Sequence, residues 1–143
     1  MKSEIRKLVL WDLYAVTKSS LFDQVAALLS EQQIVRSPKQ VIDLWERREQ
    51  MGSTMIDHLL AAPHAQADLI KQNTMVLVHT RDPISYWDGD ETAQNFIFCC
   101  VRQDISKVEA DSVTATLRLA ISEKAQDAFQ HDAKSQIITA LNF

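Results

Sequence analysis

Arg48-Glu49-Gln50-Met51-Gly52-Ser53-Thr54 runs on through Ile56 to Leu60-Ala61-Ala62-Pro63-His64-Ala65. A charged helix end leads to one of only two glycines in the chain. Two short apolar runs follow, and a histidine arrives directly after a proline among small residues. An imidazole titrates near about 6.5, so a neutral, nucleophilic nitrogen is available at cellular pH. Arg48 supplies a permanently charged fork that matches phosphoryl oxygens, and Ser53 and Thr54 carry hydroxyl donors. A nucleophilic histidine beside an arginine is a pairing suited to carrying a phosphoryl group. The same residues have plainer readings. A histidine in a half-apolar segment is commonly a structural or surface residue, and an arginine on the last turn of a helix complements the negative end of its dipole.

Upstream of this stretch, Ser37-Pro38-Lys39-Gln40 predicts a helix start: Ser at the cap, Pro at the first helical position, Gln three residues after the cap. Val41, Ile42, Trp45 and Arg48 then progress around a helix toward Gly52, a natural terminator. Leu8-Val9-Leu10-Trp11-Asp12-Leu13-Tyr14 predicts a strand. Leu21, Val25, Leu28 and Leu29, capped from Ser19 or Ser20, predict a helix ending near Gln33. Downstream, residues 53–64 predict two short strands or a strand and a loop. Asn73-Thr74-Met75-Val76-Leu77-Val78-His79 predicts a buried strand, with Pro83 ending the connection after it. Residues 84–87 and 95–101 flank Asp88-Gly89-Asp90 and predict a hairpin. Val113, Leu117, Ala120 and Ile121 have helical spacing. Ser122 is the expected cap of a short helix through Phe129, and Asp132 that of a last one carrying Ile137, Ile138 and Leu141. Helices between the early strands and after the late ones predict an α/β class, a mixed sheet covered on both faces. No internal repeat or Pro- or Ser-rich linker divides the chain.

Composition narrows the function. At 143 residues and 46% apolar content, the chain supports one domain with a core and not a disordered segment. A net charge of −4 without a block of basic residues argues against nucleic acid or an anionic membrane surface as partner. The longest apolar runs fall far short of the roughly 20 residues of a membrane span. The basic start at residues 1–7 is followed by an apolar run only at 8–11, too short for a secretory signal, so a cytoplasmic protein is expected. Cys99 and Cys100 are adjacent within an apolar run and read as two buried thiols, and no Cys/His spacing fits a zinc site.

The order R-E-x-x-G-S-T, about eight residues, then an apolar residue and A-x-P-H-A resembles the signature of type-2 enzyme IIA proteins. These form the mannitol/fructose class of the bacterial sugar phosphotransferase system. The resemblance covers nearly the whole chain and implies a three-layer α/β sandwich forming a single domain over residues 1–143. It implies that His64 accepts a phosphoryl group from a histidine phosphocarrier protein, with Arg48 as its electrostatic partner. His64 then passes the group to a cysteine or histidine of an enzyme IIB domain, without metal or dissociable cofactor. Sugar is met only through those partners.

Ser53 and Thr54 are the expected extra phosphoryl donors, and His58 and His79 the next candidates as site neighbours. Both partners would dock over the histidine, so its surroundings are expected to be apolar, with Met55, Leu59, Leu60 and Ala62 suited to that role. His131, between two late helices, reads as a surface or helix-end residue.

The chain departs from the family pattern twice. Glycine is common there at the positions of Met55, Asp57 and Leu59, with Asn at that of His58; the loop here must be rebuilt. The family's second histidine, near the start of a later helix, aligns with Ala110 to Ser112, where Glu109, Asp111 or Ser112 would have to fill the space. Two further readings on the same fold are a regulatory interaction protein and a transfer-impaired pseudo-enzyme. A metal hydrolase using His58, His64 and an acid is a distant fourth, because the spacing fits no familiar ligand pattern.

Overall fold

The computed structural model describes residues 5–143. Of the basic start at 1–7, residues 1–4 lie outside the described residues. Among the described residues the sheet has six strands: β1 (Arg6–Leu13), β2 (Met55–Asp57), β3 (Leu59–Ala61), β4 (His64–Gln66), β5 (Thr74–Asp88) and β6 (Glu91–Val101). Helices α1 (Lys18–Glu31) and α2 (Pro38–Gln50) fall between β1 and β2, and α3 (Lys107–Ala120), α4 (Glu123–Gln130) and α5 (Lys134–Leu141) follow the last strand.

The strand order is β1-β5-β6-β3-β2, with β4 also pairing β6. β1 runs parallel to β5, β5 antiparallel to β6, and β3 and β4 both parallel to β6. The sheet is therefore mixed, as the sequence predicts. Side chains alternate across it, as the pleat requires. Val76, Val78, Phe96, Phe98 and Cys100 face a core filled by Leu21, Phe22, Val25 and Leu29 of α1 and by Val41 and Trp45 of α2. Met75, Leu77, Ile97 and Cys99 face the other way, against Ala120, Ala125, Phe129, Ile137 and Leu141 of α3–α5. Each central strand thus feeds two cores, and the result is the three-layer α/β sandwich.

The elements closely match the predicted ones, with three local corrections and one added strand. The cap of α1 is Thr17, not Ser19 or Ser20; its side chain accepts from the Ser20 amide. Pro83 does not end a connection. β5 continues through it to Asp88, and the proline sits where the β5–β6 register shifts between His79 and Ile84, a place that does not need its missing N–H. Asp132 does not cap α5. It adopts a left-handed φ of 50° directly after α4, its amide bonds to the Phe129 carbonyl and that of Ala133 bonds to Ala128, the Schellman ending of α4. Residues 53–64 form the two predicted strands β2 and β3, and a third, β4, begins at His64 itself.

Candidate functional site: a cleft around His64

Pro63 separates β3 from β4. Its carbonyl accepts from the Cys99 amide, and the chain resumes pairing with β6 at His64 opposite Cys99. Ala65 joins the α1–α2 core, so His64, one residue earlier, points to the face that α3 covers. Because β4 lies on the flank of β6, the C-terminal half of α2 packs beside it. A cleft of about 560 Å³ opens between these elements. Its α2 wall carries Leu44, Arg47, Arg48 and Met51; its floor His64, Ala65 and Cys99; its α3 side Ala110, Val113, Thr114 and Leu117.

Arg48 is held there by the helix beneath it. Trp45, three residues earlier and fully buried, packs edge-on to Phe98 at 4.9 Å between ring centroids and tilted against Phe22 at 5.2 Å, which fixes the roll of α2. The Arg48 guanidinium donates to the Gly52 carbonyl at 3.0 Å, so it also closes the turn after the helix. Gly52 has φ +147°, a conformation that side chains rarely adopt, which is the reason a glycine serves there. Both sequence readings of Arg48, helix-end cation and cleft cation, describe the same side chain.

Half-buried His64 lies in the field of that arginine. Burial holds its imidazole below the ordinary pKa of 6.5; the Ala62 carbonyl opposes this, the Arg48 charge adds to it, and Glu49 opposes it. The ring is accordingly neutral at pH 7. Its Nδ1 is sealed from solvent without a hydrogen bond of good geometry, and Nε2 is not closed off in this way. The adjacent Cys99 thiol is pushed up to about 12 by burial and stays protonated.

The structure distributes the other expected site residues elsewhere. Thr54 is buried and donates to Oε2 of Glu49 at 2.6 Å, so its proton is not free for a ligand. The Ser53 hydroxyl accepts from the Met55 amide at 3.1 Å in a local turn. His58 is exposed at the turn between β2 and β3. His79 is buried, stacked on Trp11 at 4.3 Å, with Nδ1 2.7 Å from Asn95 Oδ1. It pairs with Asn95, four residues before Cys99 on β6, roughly 13 Å away along the strand. None of the four lines the cleft. Glu109 and Asp111 do not fill the α3 side either. Glu109 binds Asn73 and Ser106, which hold its carboxyl below the usual range, and Asp111 pairs with Lys107. Ala110 takes the place facing the cleft. Leu60 and Ala62 belong to the core, and the apolar rim is instead supplied by Met51, 81% exposed, with Leu44, Val101 and Ile105.

The rebuilt loop has a visible signature. Of Met55, Asp57 and Leu59, the three positions where the family pattern commonly has glycine, only Leu59 adopts a left-handed φ, +58°. The sequence missed Arg47 and Thr114. Arg47 is one residue from Arg48 and was legible as a second cation at the same helix end; Thr114 required knowing how α3 lies over the sheet.

Among the described residues no group of three His, Cys, Asp or Glu side chains gathers as a metal-ligand set, and no helix is long and apolar enough to cross a membrane. A three-layer α/β sandwich with a histidine and arginines in a cleft at the sheet flank is the class that fold and site define. The chain belongs to the family described as "Phosphoenolpyruvate-dependent sugar phosphotransferase system, EIIA 2", which matches residues 5–142.

Solved structures with the same fold include the nitrogen regulatory protein IIA-Ntr from Neisseria meningitidis. It is 18% identical with a TM-score of 0.74, and the match covers 91% of this chain and 92% of that one. The complex of enzyme IIAMTL with phosphorylated enzyme IIBMTL from Escherichia coli matches at 15% identity and a TM-score of 0.74, over 94% and 93% of the two chains. The IIA mannitol crystal structure from Escherichia coli matches at 16% identity and a TM-score of 0.71, over 93% and 94%. No curated protein matches the chain in sequence.

Proposed function

We propose that this chain is a phosphocarrier in which Nε2 of His64 accepts a phosphoryl group from a phosphohistidine of a histidine phosphocarrier protein and yields it to an enzyme IIB component. The observation that carries this reading is the neutral His64 ring in a cleft whose α2 wall bears Arg47 and Arg48 and whose lining holds no carboxylate. With the ring proton on the sealed Nδ1, the Nε2 lone pair is left for attack. The Nε2–P bond forms as the donor's N–P bond breaks in line, and the donor nitrogen leaves with the electron pair. Such a transfer needs little beyond positioning and neutralisation of the phosphoryl oxygens, which is the role of Arg48. No metal or dissociable cofactor takes part, and sugar is met only downstream. Family membership supports the relay, and the IIB-bound relative supports an enzyme IIB partner. The reading places the chain in the cytoplasm, where both partners meet it.

A second reading, regulatory interaction through the phosphorylation state of His64, is favoured by the α3 side of the cleft. That side offers Ala110 and Thr114, with no second imidazole among the lining residues. One preorganised donor fewer slows transfer by roughly a hundredfold. A transfer-impaired pseudo-enzyme is the limit of the same argument, and one relative is itself named a nitrogen regulatory protein.

Labelled phosphoenolpyruvate, enzyme I and the histidine phosphocarrier protein test these readings together. Acid-labile label in the wild type, absent in His64→Ala and passed on to an enzyme IIB domain, supports the relay. Label that no enzyme IIB accepts supports the regulator, and no label in the wild type defeats both.

A further inference from the structure

Among the described residues, two donors in the cleft have no partner. Arg47 is exposed on α2 and lines the cleft, and among the described residues it makes no hydrogen bond or ion pair. Asp43, one turn before it, does not pair with it, and Glu49, two residues after it, is held by Lys18 at 2.9 Å and by Thr54. Arg48, by contrast, already spends part of its guanidinium on the Gly52 carbonyl. On the α3 side, Thr114 supplies the one hydroxyl that lines the cleft among the described residues. A threonine inside a helix commonly bonds back to the carbonyl one turn earlier. Thr116 does so to Ser112 at 3.2 Å and Thr139 to Ser135 at 2.9 Å. Thr114 has no such bond, and among the described residues its hydroxyl has no partner.

We propose that Arg47 and Thr114 complete the anion site: they contact the phosphoryl oxygens on His64 from the α2 and α3 sides, adding a second cation and a hydroxyl to Arg48. This rests on the phosphocarrier reading. The arrangement suits a dianionic phosphoryl group, because the cleft lining presents two guanidiniums, one hydroxyl and no carboxylate. The hydroxyl supplies from α3 a neutral donor that does not compete with the arginines for charge. Both side chains are exposed, so replacing them leaves the two cores untouched.

The test uses the full chain and phosphoramidate, a small donor that needs no protein partner. The Nε2–P bond forms, the P–N bond of phosphoramidate breaks and ammonia leaves with the electron pair. The rate of His64 labelling and the spontaneous loss of label are measured for wild type, Arg47→Gln, Thr114→Val, the double variant, and the conservative Arg47→Lys and Thr114→Ser. Loss of one charge-assisted hydrogen bond predicts about tenfold slower labelling for each single variant and, for independent contacts, about a hundredfold for the double. Thr114→Ser retains the wild-type rate, Arg47→Lys recovers part of it, and thermal midpoints do not move.

Wild-type labelling matched by Arg47→Gln and Thr114→Val overturns this assignment and leaves the phosphocarrier reading intact. Slowing that Thr114→Ser shares with Thr114→Val overturns the hydroxyl's part. A wild type that takes label from neither phosphoramidate nor the protein donor overturns both proposals at once.

Discussion

The Thr54 hydroxyl donates to Oε2 of Glu49 at 2.6 Å, a bond that ties down the carboxylate next in sequence to Arg48. Glu49 directly follows Arg48, yet its side chain is only 10% exposed and its other oxygen takes Lys18 Nζ at 2.9 Å. The carboxylate is thereby kept out of the cleft lining while the arginines remain in it. A buried carboxylate deprived of one donor destabilises a fold by about 1–3 kcal/mol. Thr54→Val is therefore expected to lower unfolding free energy in urea by that amount. It is also expected to raise the titration midpoint of His64, as the loosened Glu49 carboxylate turns toward the ring. Unchanged stability would show that the hydroxyl does not restrain Glu49.

Depression of the His64 pKa by burial sets a pH dependence whose sign follows from linkage. Between the folded value and the ordinary 6.5, the unfolded chain binds the proton and the native chain does not, so acid favours unfolding. The contribution of His64 is fully present above pH 6.5 and is lost as pH falls through its folded pKa. NMR titration of the ring should show a midpoint below 6.5. His64→Ala should flatten this part of the stability–pH curve. Phosphoryl acceptance should hold its rate below pH 6.5 and fall only beneath the folded pKa; a midpoint above 6.5 would contradict the burial argument.

Leu59, the first residue of β3 after the turn at His58, is held at φ +58°. A left-handed non-glycine residue carries about 1–2 kcal/mol of strain. Leu59→Gly relieves that strain while losing side-chain contacts; Leu59→Ala loses the contacts and keeps the strain. The glycine variant should therefore be the more stable of the two by about 1 kcal/mol, the reverse of the usual order inside regular structure. Equal stabilities in urea titration would show the turn relaxes away from the left-handed conformation.

Cys99 and Cys100 are both buried, with thiol pKa values driven up by desolvation, that of Cys99 to about 12. Since the thiolate is the reactive form, neither should react with an aromatic disulfide reagent at pH 8 in the folded protein, and both should react in urea. Rapid labelling of Cys99 in the native state would mean that the floor of the cleft opens.

Much of the fold was legible because strong local signals agreed. The apolar run before His79, the Asp88-Gly89-Asp90 turn and the Ser-Pro start of α2 each leave one inexpensive conformation. The failures were at ends and joints. Thr17, Ser19 and Ser20 are three equivalent cap candidates in sequence, and only the extended backbone of Thr17, φ −136° and ψ 157°, selects it. Asp132 has the composition of a cap and serves as the left-handed close of α4, a choice made by how α4 and α5 pack. The site was legible as His64 and Arg48, which share one stretch of sequence. Its remaining walls were not. Whether Thr54 faces the cleft or the core depends on Glu49 and Lys18, and Lys18 lies 31 residues before Glu49. Which residues of α3 overlook His64 depends on a helix more than forty positions downstream. His79 was drawn toward the site by its place on a central strand, and the register with Asn95 puts it on another part of the same face.

The most direct measurement is the chemical identity of the phosphorylated atom. The protein, labelled with ¹⁵N-histidine and phosphorylated by phosphoenolpyruvate, enzyme I and the histidine phosphocarrier protein, should show phosphorus coupled to Nε2 of His64 alone, with Nδ1 carrying the proton. Phosphorus on Nδ1, on another histidine, or on none would contradict the central claim that the open nitrogen of His64, beside Arg48, is where the group rests.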